Sequence, residues 1–85
     1  STDPKAYVGA ISAYTELGEH EKTEKTYLTI IKTFGAHPKT FLNFAKFYLS
    51  WNKKDKAYDY ALRAFQADNN LAEAKSIMDK IDKRI

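Results

Sequence analysis

Sliding the chain against itself by 34 residues lays Pro4 on Pro38, Lys5 on Lys39, Tyr14 on Tyr48, Lys22 on Lys56 and Leu28 on Leu62. Tyr7 with Phe41 and Ile31 with Phe65 match by class. A fixed period of this size marks a supersecondary unit that cannot bury its apolar face alone and stacks on a neighbour. The period therefore favours a stacked array over one irregular globule. What each unit is made of follows from the pattern inside it.

That pattern is helical. Asp3-Pro4 is a helix start, because aspartate accepts from first-turn amides and proline's missing donor costs nothing at the first helical position. Tyr7, Ala10, Ile11, Tyr14 and Leu17 follow at three- and four-residue spacing, and Gly18 supplies the left-handed stop. A second helix is expected to about Phe34, with Tyr27, Ile30, Ile31 and Phe34 inward, closed by Gly35. His37-Pro38 reopens the pattern with the stripe Phe41, Phe44, Ala45 and Tyr48, and Asn52 takes the left-handed role of Gly18. The fourth helix turns Ala57, Ala61, Leu62, Ala64 and Phe65 inward, and of the flanking Tyr58 and Tyr60 one is expected to be exposed. Asp68-Asn69-Asn70 is a turn, and Asn70 with Glu73 reads as a capping box for a fifth helix whose inner side carries Leu71, Ala74, Ile77 or Met78, Ile81 and Ile85. The expected helices are 4–17, 20–34, 38–51, 54–67 and 70–84, in an all-α fold. Their short links force consecutive helices antiparallel.

Composition agrees with a folded domain: 44% of the 85 residues are apolar and 14% aromatic, too many for a disordered segment. The chain fits a single domain, 1–85. There is no cysteine, hence no disulfide and no thiolate chemistry. No apolar run approaches the roughly 20 residues of a membrane-spanning helix, and the N-terminus lacks a signal-peptide pattern. These features lead us to expect a soluble domain of undetermined compartment. Ser1 and Ile85 read as cuts from a longer protein.

Residues 38 to 71 resemble the tetratricopeptide (TPR) repeat. Counted from Pro38, Phe41, Phe44, Ala45 and Tyr48 fall on the aromatic or aliphatic, leucine-like, small and tyrosine-like positions, and Ala57 and Ala64 on the two small positions of the second helix. Residues 4 to 37 depart further, with Ile11 and Thr23 where small residues are usual. Residues 72 to 85 are similar to the lone polar-faced helix that closes such arrays. Half-a-TPR repeats of RNA-processing scaffolds, Sel1-like arrays and plain helical-hairpin arrays share the pattern. The resemblance implies hairpins stacked as a right-handed superhelix and a protein-interaction module without enzymatic activity, metal or cofactor. The family's binding surface is the concave face of the first helix of each pair. Carried onto this chain, that surface presents Lys5, Val8, Ser12 and Thr15, then Lys39, Leu42, Asn43, Lys46 and Leu49. Lysines beside aliphatic side chains suit an acidic peptide with an apolar anchor. Of the residues with which some TPR modules clamp chaperone C-termini, only Asn43 falls in place, so tight binding of such tails is not expected.

Trp51 carries two readings: packing against a hairpin end, in the slot Leu17 fills one period earlier, or an aromatic anchor for a partner. Association of copies, or service as one segment of a longer scaffold, is the alternative to a peptide groove. A net charge of +3, from 14 basic and 11 acidic residues, favours acidic partners. Lysine and glutamate alternate from Glu19 to Lys25, which disfavours a nucleic-acid surface, since that needs basic residues gathered on one face.

The inventory for catalysis is thin. His20 and His37 lack the i, i+4 spacing of a helical zinc pair. Glu19, Glu21 and Glu24 suit a helix N-terminus better than acid–base work. Ser12, Ser50 and Ser76 sit in expected helices without a histidine to activate them, and three glycines make no phosphate loop.

Overall fold

The computed structural model describes residues 3–35 and 37–82. Among them are five α-helices and no strand: α1 (Pro4–Glu16), α2 (His20–Phe34), α3 (Pro38–Ser50), α4 (Lys54–Ala67) and α5 (Ala72–Asp82). The chain divides into two units between α2 and α3, the first holding α1 and α2 and the second α3, α4 and α5.

The 34-residue period is present in the backbone itself. Helices open at Pro4 and Pro38 and again at His20 and Lys54. Asp3 has the extended backbone of an N-cap, and its carboxylate accepts from the Lys5 amide at 3.0 Å. α1 closes in a Schellman turn in which the Glu19 amide donates to the Tyr14 carbonyl at 2.9 Å and the Gly18 amide to Thr15 at 3.1 Å, with Gly18 at φ 71°. One period later Lys53 donates to Tyr48 at 2.9 Å and Asn52 to Leu49 at 3.1 Å, with Asn52 at φ 60°. Asparagine tolerates this left-handed conformation better than other side chains, which is why it stands in for glycine. The Lys22 ammonium lies over the Tyr14 ring at 5.8 Å, and Lys56 over Tyr48 at 5.6 Å. The period thus repeats a cap and a cation–π contact as well as a hydrophobic stripe.

In the first unit, α2 supplies the buried residues Thr23, Tyr27 and Ile30, and α1 contributes only partly covered ones. Tyr7 meets Phe34 edge to face at 5.8 Å. Thr23 occupies the position of Ala57 one period earlier and is buried all the same. Its hydroxyl donates to the Glu19 carbonyl at 3.0 Å, so the polar group is satisfied within its own helix. One expectation needs correction here. Leu17 caps α1 and is 73% exposed instead of closing the inward stripe.

The second unit is built on an aromatic cluster. Phe44 is fully buried, with ring centroids 4.4 Å from Tyr60 and 4.5 Å from Tyr48. Phe41 and Tyr48 complete contacts to Tyr60 at 5.8 and 5.7 Å. Neither Tyr58 nor Tyr60 is exposed, contrary to expectation, because Tyr60 reaches into this cluster from α4. Ala45, Ala57, Ala61, Ala64 and Ala74 are fully buried, and their size lets the helix backbones approach. α5 packs on both α4 and α3, burying Ile77 and Met78 together with Ile81. It opens at Ala72, so Leu71 stands at its N-cap position and the expected Asn70–Glu73 box does not form. Instead Asp68 organises the turn, accepting from the Asn70 amide at 3.0 Å through its side chain and from the Leu71 amide at 3.1 Å through its carbonyl. The expected ends of this helix at 83 and 84, and inward Ile85, lie outside the described residues.

Candidate functional site

The second unit leaves an open cleft of about 280 Å³ where α5 lies against α3, lined by Lys46, Leu49, Ser50, Glu73, Ser76, Ile77 and Lys80. Its origin is in helical spacing. Lys46, Leu49 and Ser50 stand at i, i+3 and i+4 on α3, while Glu73, Ser76, Ile77 and Lys80 stand at i, i+3, i+4 and i+7 on α5, so each helix offers one face. Leu49 and Ile77 give the cleft apolar surface, Ser50 and Ser76 add hydroxyls, and three charged groups ring it.

The Lys46 ammonium contacts the Glu73 carboxylate at 2.6 Å and ties α3 to α5 across the cleft. Both side chains keep about half their surface in water, 46% for Lys46 and 64% for Glu73. An ion pair so exposed holds its geometry weakly. Lys80 brings a second cation to the same space. The volume is at or below the lower end for small-molecule sites, and suits a few side chains of a polypeptide better than an enclosed cofactor.

Of the residues expected to meet a partner, the structure brings Lys46 and Leu49 into this cleft. Lys39 and Asn43 are exposed on α3. Leu42 is buried at 6% exposure and belongs to the core, not to a solvent-facing surface. Lys5, Val8 and Ser12 are exposed on α1, in the other unit. Trp51 is half-buried at the end of α3, its ring stacked on Tyr48 at 6.5 Å and tilted against Phe47 at 5.6 Å, with the Lys53 ammonium 4.9 Å from it. Both rings belong to α3 itself, the helix that Trp51 closes. Thr15, exposed, donates its hydroxyl to the Ile11 carbonyl at 2.6 Å.

Sequence reasoning missed the α5 half of the cleft. The signal was present in the shared face of Glu73, Ile77 and Lys80, but a polar flank on a closing helix reads as ordinary solvent surface until α3 is placed beside it. His20 opens α2 and His37 sits at the N-cap position of α3. Among the described residues, no three or more histidine or carboxylate side chains gather as a metal site would require, and no helix is long and apolar enough to cross a membrane.

Two groups of the first unit have displaced pKa values. Glu19, hydrogen-bonded and ion-paired to Lys22 at 3.1 Å, raises the lysine above its ordinary value. Burial pushes the Tyr27 hydroxyl up, since a phenolate there would lose its hydration. No protein-family model and no curated protein matches the chain.

Proposed function

We propose that this chain is a non-catalytic helical-repeat module that binds a segment of another polypeptide, with the α3–α5 cleft as its principal contact surface. The observation that carries the reading is the cleft itself: the partly exposed side chain of Leu49, backed by the buried Ile77, lies between charged rims on two packed helices. Sites on rigid elements bind without a large ordering cost, which is what a recognition surface needs. The TPR-like period and the small buried alanines support the same assignment.

The test is selection from a displayed random peptide library with the intact chain, followed by isothermal titration of the selected peptides. The wild type is expected to select peptides that bind in the micromolar range. A Lys46→Glu, Lys80→Glu variant with unchanged helical circular dichroism is expected to lose them. Selection of nothing, or of peptides indifferent to that variant, would overturn the cleft as the binding surface.

A second reading is favoured by a separate observation. α1 has no buried residue and leaves Val8 and Leu17 largely in water, as a helix awaiting a further layer would. On this reading the chain is a structural or self-associating segment of a larger helical scaffold, including the half-a-TPR type. Sedimentation equilibrium across a wide concentration range decides it. Association that disappears in Val8→Ser, Leu17→Ser is the expected result, and a monomer throughout would remove self-association.

A further inference from the structure

We infer that Glu73 is a built-in occupant of the α3–α5 cleft, and that the partner segment is an acidic one whose carboxylate replaces Glu73 on Lys46 while a neighbouring aliphatic side chain settles on the partly exposed Leu49. The inference rests on the peptide-binding reading above and names the partner's chemistry and the group it displaces.

Three features carry it. The Lys46–Glu73 contact at 2.6 Å already shows a carboxylate seated at the cleft, in the position an incoming one would take. The rim holds two cations, Lys46 and Lys80, against the single carboxylate of Glu73, so removing Glu73 leaves a site with two positive charges and apolar surface between them. Finally, releasing Glu73 costs little. Its side chain is 64% exposed, and it lies in the first turn of α5, where the unpaired amides of the helix N-terminus favour a negative charge after it has left Lys46.

Exchange of one exposed carboxylate for another has a defined consequence. The partner pays for breaking the internal pair, and a chain without that pair binds acidic partners more tightly. Exposed pairs of this kind are worth little, so the gain is about two- to fivefold in affinity. A neutral partner, which does not compete for Lys46, gains nothing.

The experiment is an NMR titration of the intact chain, following amides of α3 and α5. The probes are acetyl-Asp-Leu-Asp-Leu-Glu with a free C-terminus and its neutral counterpart acetyl-Asn-Leu-Asn-Leu-Gln amide. The expected result is saturable shifts around Lys46, Leu49 and Ile77 with the acidic probe, about two- to fivefold tighter binding to Glu73→Gln, and loss of binding in Lys46→Met. Helical circular dichroism confirms that both variants fold. Binding of the acidic probe to Glu73→Gln that is unchanged or weaker would overturn the exchange while leaving peptide binding intact. Cleft shifts caused equally by the neutral probe would overturn the acidic partner. Absence of shifts with the acidic probe in every variant would also overturn it. In that case peptides obtained from library selection would preserve the binding function with a different partner chemistry, and an empty selection would remove both.

Discussion

Two glycines of the first unit should respond to the same substitution with opposite signs. Gly9 lies inside α1, exposed, and a methyl group built on it meets no atom within 4 Å. Gly9→Ala therefore adds no clash, and the helix gains about 0.8–1 kcal/mol from alanine's lower conformational entropy in the unfolded chain. Gly18 is equally open, again with nothing within 4 Å, but sits at φ 71° in the Schellman turn that ends α1. A β-carbon there costs about 1–2 kcal/mol in backbone sterics, offset by about 0.4–1 kcal/mol from the unfolded state, for a net loss near 1 kcal/mol. At about 4–8 °C per kcal/mol for a chain of this size, the two variants should melt about 8–16 °C apart on either side of the wild type. Thermal and urea unfolding followed by far-ultraviolet circular dichroism measure this directly. Gly18→Asn should recover part of the loss, as Asn52 does one period later. Shifts of the same sign for both alanine variants, or a neutral Gly18→Ala, would refute the cap as the reason α1 stops where it does.

Two further outcomes follow from the cores. Phe44→Ala should cost about 3–5 kcal/mol, a large share of the about 4–13 kcal/mol that a chain of 85 residues commands, and should abolish cooperative urea unfolding of the α3–α5 unit; a midpoint equal to the wild type would show that the Phe44–Tyr48–Tyr60 cluster is not its centre. Tyr27 bears on alkaline stability. Burial raises its pKa above the ordinary 10.0, so the folded state keeps its proton when the unfolded state releases it. Its contribution is complete below pH 10.0 and is lost as the pH climbs through the folded-state value. Stability measured across that range should fall more steeply for the wild type than for Tyr27→Phe, and parallel curves would refute the assignment.

The features that the sequence determined by itself are local ones. Asp3-Pro4, Gly18, Asn52 and the 34-residue period located four helix starts and two caps, because a helix and its caps are closed by hydrogen bonds between residues no more than five apart. The stripes of α2, α3 and α4 were legible for the same reason, since side-chain azimuth follows from helical spacing. Azimuth does not say which neighbour covers a face, and that is where tertiary structure decided. Val8 and Leu42 are equivalent by the period, yet one is 62% exposed and the other 6%. Tyr60, at the edge of its stripe, joined the aromatic cluster because Phe44 lies opposite it. Lys46 was visible as a surface cation, but its pairing with Glu73, 27 residues further on, and the cleft that the two residues line exist only because α5 packs back onto α3. No local hydrogen bond or helical period encodes a contact of that range; it depends on which apolar faces find each other when the chain folds.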